Sequence, residues 1–253
     1  MSDVPKTNTY IGYDSRFPLV YNIIAYSIRK NADRTARKFS GEVRPLILSE
    51  LKFLYKFNIK HDPKATTEFT YSRFAIPYLS GYEGIHIFMD NDMLCYGDLA
   101  ALMNLLYAKY TYIDEFPAII CRKHDYAPAT GTKMYGVAQE AYPRKNWSSF
   151  MIMNCTKLLC WTKAVVEQAD GARLHRFADI PDDEIVDIET IEPGWNDLTH
   201  KRPETKLLHF TEGGPWFPDY VKCPHHLDWF DAFEEYFGYL HPNYPGRQLN
   251  DFT

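Results

Sequence analysis

Three observations predict an α/β fold: a single domain built on a mainly parallel central sheet flanked by helices. Short apolar runs suited to strands alternate along the chain with longer stretches whose apolar residues recur at helical spacing. One run, Ile85–Met89 (IHIFM), is apolar almost throughout, as a strand covered on both faces requires. The chain has 253 residues, 45% of them hydrophobic and 24% charged, which suffices for one large core, and it shows neither an internal repeat nor a low-complexity linker.

Each element has its own signal. Residues 9–13 (TYIGY) read as a first strand. Residues 17–30 read as a helix, with Leu19, Ile23, Ile24 and Ile28 on one face and Pro18 near its start. A strand follows over 43–48, a helix over 70–79 despite Pro77, then the strand Ile85–Met89 and a helix over 99–107. Further strands fall at 118–121 and 150–154. A helix over 157–170 is expected to stop at Gly171. A late strand at 206–210 precedes an aromatic helix over 228–239. The core is placed at about 9–217, with the C-terminal aromatic helix and tail over 218–253; packing on the domain is the default for that helix, with a homodimer interface as the alternative.

Lys and Arg number 28 against 33 Asp and Glu, a net charge of −5. Proteins that bind nucleic acid backbones carry the opposite bias, so no nucleic-acid partner is expected. The aromatic fraction of 16%, with 19 Tyr, suits a concave site for planar or sugar-like ligands, although large cores also use aromatics. The five cysteines are Cys95, Cys121, Cys155, Cys160 and Cys223; the odd count and the lack of CxxC spacing suggest neither a disulfide framework nor a thiolate zinc site. The first residues carry no apolar signal core, and no window approaches the roughly 20 apolar residues of a membrane span. The expectation is a cytoplasmic protein with no transmembrane segment.

In open parallel sheets ligands bind at the carboxyl ends of strands, so the informative positions follow Tyr13, Met89, Met153 and Phe210. After Met89 stands Asp90-Asn91-Asp92. Two carboxylates this close repel unless a cation compensates them, and oxygen ligands suit Mg²⁺ or Mn²⁺ shared with a diphosphate. The bland alternative is a polar turn. The chain carries neither GxxxxGK[ST] nor GxGxxG, so phosphates bound here would need metal rather than a glycine loop. His209, in Leu207-Leu208-His209-Phe210-Thr211-Glu212-Gly213-Gly214-Pro215-Trp216, reads as a third metal ligand or as a core histidine beside a turn; Gly213 and Gly214 permit close backbone approach to a ligand. Asp14, after Gly12 and Tyr13, reads equally as a nucleotide contact or a helix cap. Arg73 reads as a phosphate or base contact, or as a solvated helix charge. Trp147 and Trp195 offer flat faces to sugar rings or fill the core. Asp197 reads as a general base, an acceptor contact or a turn acid.

The blocks TYIGYDSR, TYSRFAIPYL, IFMDNDMLCYGDL and LLHFTEGGPWF together resemble nucleotide-sugar glycosyltransferases of the GT-A fold, nearest to glycosyltransferase family 8 and its bacterial and viral relatives, over roughly residues 10–216. The resemblance implies a metal-dependent transfer of a sugar from a UDP-sugar to a glycan or other acceptor hydroxyl, with retention. It implies Mn²⁺ (or Mg²⁺) on Asp90, Asp92 and His209. It places Gly12, Tyr13 and Asp14 at the nucleotide; Arg73, Asn91, Gly213 and Gly214 are further candidates for the nucleotide-sugar, and Trp147, Ser148 and Asp197 candidates for the reacting centre. Two departures stand out. Family 8 has H-x-x-G-x-x-K-P-W, where this chain has H-x-x-x-G-G-P-W and lacks the lysine. The family's Asn-Ser-Gly strand is here Asn146-Trp147-Ser148-Ser149. A sugar nucleotidyltransferase and a non-catalytic nucleotide- or sugar-binding domain are the alternatives.

Overall fold

The computed structural model describes residues 7–32, 41–59, 62, 65–125, 132–133, 137–138 and 143–241. In chain order the elements are β1 (Thr9–Gly12), α1 (Pro18–Asn31), β2 (Val43–Leu46), α2 (Leu48–Leu54), a 3₁₀ turn at Ser72–Ala75 running into α3 (Ile76–Leu79), β3 (Ile85–Met89), β4 (Met93–Cys95) and α4 (Leu99–Lys109). They continue with β5 (Ile119–Cys121), the pair β6 (Thr132–Lys133) and β7 (Val137–Ala138), β8 (Phe150–Asn154), α5 (Lys163–Gln168), α6 (Gly171–His175), β9 (Ile185–Asp187), β10 (Asp197–Leu198), β11 (Leu207–His209) and α7 (His226–Leu240).

Six strands form the main sheet in the order β2-β1-β3-β8-β5-β9. Five run in one direction; β8 alone is antiparallel to both its neighbours. Strand alternation sends the two sides of β3 into different cores. Ile85, Ile87 and Met89 pack with α1 and α4 residues such as Ile24, Leu102 and Leu106. Phe88 packs on the other face with Phe74, Ile76, Trp161 and Leu174. A second, three-stranded sheet, β10-β11-β4, joins the first through the short link between β3 and β4. α7 lays Trp229 and Ala232 on Ile23 of α1 and on Leu208 and Phe210 of the small sheet, so the C-terminal helix packs on the domain.

Several expectations need correction. Because β8 is reversed, its start, not its end, lies beside the end of β3: Phe150 pairs with Met89, while Asn154 pairs with Ile85. The informative position on β8 is therefore 147–149 rather than the residues after Met153. Gly171 does not stop a helix; it opens α6, since the Asp170 side chain accepts the Arg173 N–H at 2.6 Å as a cap. The helix before it begins only at Lys163, capped by Thr162. The strand at 43 ends at Leu46, and α2 follows at once.

Candidate metal centre and active site

The first-sheet strand β3 delivers Asp90, whose N–H donates to the Ser149 carbonyl at 2.8 Å and so ties it to the start of β8. β4 then pairs antiparallel with β11 in a register that sets His209 opposite Met93. The Phe210 N–H donates to the Asp92 carbonyl at 2.8 Å, closing the ladder one step further. This register brings together side chains far apart in sequence. One ligand atom each from Asp90, Asp92 and His209 lies within 4.8 Å of the others. The His209 Nε2 is 3.3 Å from Asp92 Oδ1. Two carboxylate oxygens and an imidazole nitrogen are a donor set suited to Mn²⁺ or Mg²⁺, and the residues fit such an ion.

Each ligand is held from behind. His209 is 2% exposed, and its Nδ1 hydrogen-bonds Asn196 Oδ1 at 3.0 Å. Asp90 faces Arg73, whose Nη1 is 2.7 Å away. Arg73 is 5% exposed, which removes the solvated reading of that residue. Its guanidinium lies over the rings of Phe88 (4.7 Å) and Phe69 (5.4 Å) and donates to the Ser148 carbonyl at 2.8 Å. One buried cation therefore offsets part of the charge of the acidic pair.

The other residues named from sequence divide into three groups. Ser148 and Trp147 stand at the start of β8, close to Asp90 along the backbone hydrogen bonds just described. Ser148 Oγ bonds His175 Nδ1 at 2.7 Å. Burial, and secondarily the Arg73 charge, press the His175 imidazolium down to about 3, so the ring is neutral. Trp147 donates from Nε1 to the His124 carbonyl at 3.0 Å, with Lys123 Nζ and Arg144 Cζ at 5.5 and 5.3 Å from its ring. Burial, the largest cause, likewise holds His124 down at about 3.

The second group stands at or just after the ends of β1, β3 and β11. Gly12 ends β1 under the Phe69 ring, where an added Cβ would lie 2.4 Å from that ring. Tyr13 packs edge-on against Tyr21 at 5.6 Å. Asn91 is buried between the two acids. Gly213 has φ +137° and Gly214 lies against the Trp216 ring in the turn after β11.

The third group is occupied elsewhere. Asp14 is buried, and its carboxylate takes the Arg16 Nε (2.8 Å) and N–H (3.1 Å); it is a turn acid rather than an open nucleotide contact. Asp197 is 6% exposed. Its oxygens take Arg202 Nη2 (2.6 Å) and Nε (3.0 Å) and the Thr205 hydroxyl (2.6 Å). A carboxylate so engaged is a structural clamp, not a general base. Arg202 also reaches Glu189 at 2.9 Å, and Arg122 pairs with Glu189 as well. Burial alone would raise Glu189, but these cations and the Gly194 N–H outweigh it and hold the carboxyl low. Trp195 is a core residue, stacked on Phe150 at 5.8 Å.

Sequence reasoning missed Asn196 and Ser149. Asn196 was visible only as the neighbour of Asp197, and a neutral amide carries no chemical signature of its own. All five cysteines are free thiols, three of them fully buried. Among the described residues no helix is long and apolar enough to cross a membrane.

The chain is 37% identical over 234 residues to Protein CDI of Arabidopsis thaliana, covering 90% of this chain and 86% of that protein. No protein-family model matches it. Among solved structures it is similar to the glycosyltransferase GlyE of Streptococcus pneumoniae TIGR4 (TM-score 0.54, 12% identity, 90% of this chain and 60% of that one). It is also similar to the apo WbbM bifunctional glycosyltransferase (TM-score 0.50, 14% identity, 90% and 52%). This chain thus spans between half and three-fifths of those two. The shared architecture is that of GT-A glycosyltransferases.

Proposed function

The chain belongs to the family of Protein CDI, and from that premise and the geometry of the acidic site we propose that it is a metal-dependent glycosyltransferase moving a sugar from a nucleotide-diphosphate donor, a UDP-sugar, to an acceptor hydroxyl. The observation that carries this reading is the convergence of Asp90, Asp92 and His209, within 4.8 Å, at the end of β3. An α/β sheet that ends in such a cluster places it where open sheets bind ligands.

Asp90, Asp92 and His209 would hold a divalent cation that, when bound, offsets the charge developing on the departing diphosphate. The protein's own contribution is preorganisation. Arg73 fixes Asp90 and supplies a buried positive charge behind the site. The main-chain hydrogen bonds from Asp90 to Ser149 and from Phe210 to Asp92 lock the two acids and the imidazole to different strands of a rigid frame. The turn bearing Gly213 and Gly214 offers backbone close to a ligand, and Trp147, flanked by two cations, offers a ring face to the sugar. Asp197, the base that an inverting mechanism would have used, is committed to Arg202 and Thr205, which favours transfer with retention.

The test is calorimetric titration with UDP, with and without Mn²⁺, followed by a panel of UDP- and GDP-sugars assayed for slow donor hydrolysis. Metal-dependent UDP binding with hydrolysis of one donor is the expected result. Absence of nucleotide binding under either condition removes the proposal. Binding with no turnover of any donor replaces it with a non-catalytic nucleotide-binding role.

A further inference from the structure

Resting on the metal reading above, we infer that Asn196 is a positioning residue that fixes the tautomer and direction of His209 toward the cation. The argument starts from the donors and acceptors around one amide. Asn196 is fully buried. Its Nδ2 faces two acceptors, Ser149 Oγ at 2.9 Å and the Asn146 carbonyl at 3.4 Å. Ser149 Oγ spends its own proton on the Asn146 carbonyl at 2.6 Å, so its lone pairs are what it presents to the amide. The amide nitrogen therefore belongs on that side, and Oδ1 on the side of His209 Nδ1, 3.0 Å away.

An amide oxygen only accepts, so Nδ1 carries a proton, and Nε2 is the ring nitrogen left to bind a cation. That nitrogen is 3.3 Å from Asp92 Oδ1, and it belongs with the Asp90 and Asp92 oxygens to one set of ligand atoms within 4.8 Å of one another. An acceptor behind a ligating histidine is the recurrent device that sets ring orientation and basicity. The backbone supports the same role. Asn196 has φ +64°, a conformation asparagine tolerates, and it follows Gly194 at φ +94°. The Gly194 carbonyl takes the N–H groups of Lys206 (2.7 Å) and Leu207 (3.0 Å), which binds the Asn196 turn to the strand that carries His209.

One variant and one spectroscopic signature separate this role from mere packing. Asn196→Gly removes the acceptor while keeping a residue that accepts the positive φ. Mn²⁺ alone, titrated by electron paramagnetic resonance of the free ion, is expected to bind Asn196→Gly roughly 10- to 100-fold more weakly than wild type. Wild-type affinity in Asn196→Gly overturns the inference. Ring ¹⁵N shifts of His209 in the wild-type protein, with and without Mg²⁺, are expected to show the proton on Nδ1; an unprotonated Nδ1 in either state also overturns it. This second measurement decides the matter even where Asn196→Gly does not fold. Failure of the wild type to bind Mn²⁺ counts instead against the metal reading, and the ring proton then still tests what Asn196 does.

Discussion

Asp92 combines a partly accessible carboxylate with a carbonyl that takes the Phe210 N–H at the end of the β4–β11 ladder. Its side chain can therefore be removed without disturbing the strands. Asp92→Ala is expected to abolish donor turnover and Mn²⁺-dependent UDP affinity while leaving the circular dichroism and melting temperature unchanged; normal turnover would reassign the site. Arg73 is the opposite case. It is buried, paired with Asp90 at 2.7 Å and bonded to the Ser148 carbonyl. Arg73→Met removes the cation from a largely desolvated pair and should lower unfolding stability by about 3 kcal/mol in a urea titration. A change within experimental error would mean the pair is solvated. At this scale the two acids were legible, because they directly follow an apolar strand. For Asp14 and Asp197 the sequence left a chemical role and a turn or capping role both open. An acid beside a glycine or a tryptophan looks chemical in sequence, yet Arg16 in one case and Arg202 with Thr205 in the other consume it.

The elements set how accurately those side chains meet. Gly194 takes φ +94°, and a Cβ there would lie 2.0 Å from the Glu204 carbonyl oxygen. That oxygen is backbone and cannot swing away. Gly194→Ala should therefore cost about 2 kcal/mol or more, read as a fall of about 4–8 °C in melting temperature for a protein of this size. A melting temperature equal to wild type would show that the turn relaxes freely. Helix α1 and strand β3 were legible because their periodicities are strong and their lengths sufficient. Gly171 was read as a stop because glycine commonly ends helices, but Asp170 before it makes it a start. The direction of β8 was invisible. Five apolar residues in a row describe a doubly covered strand equally well in either direction, and only pairing with Ile85–Met89 decides it.

Over the whole molecule, folding buries titratable groups whose charge must be suppressed. His175 is pressed from its ordinary 6.5 to about 3, chiefly by burial and then by Arg73, and His86 is also lowered by burial. Because the folded value is the lower one, the unfolded chain binds these protons first. For His175 the stabilising contribution is complete above about pH 6.5 and is lost as the pH falls toward 3, at about 1.4 kcal/mol per pH unit, and His86 contributes a loss of the same sign. Melting temperature should thus decline steadily from pH 7 to pH 4.5, and a flat profile across that window would mean the rings are solvated.

By itself the sequence determined the α/β class, the apolar central strand and the acidic pair that ends it, because each is written in local periodicity and neighbouring residue types. The tertiary structure alone decided which way β8 runs, that His209 stands against Asp92 while Asp197 does not join them, and that an unremarkable asparagine lies behind the imidazole. Those outcomes depend on strand register and on which distant partner satisfies each buried polar group, and neither is encoded within the few residues around any one of them.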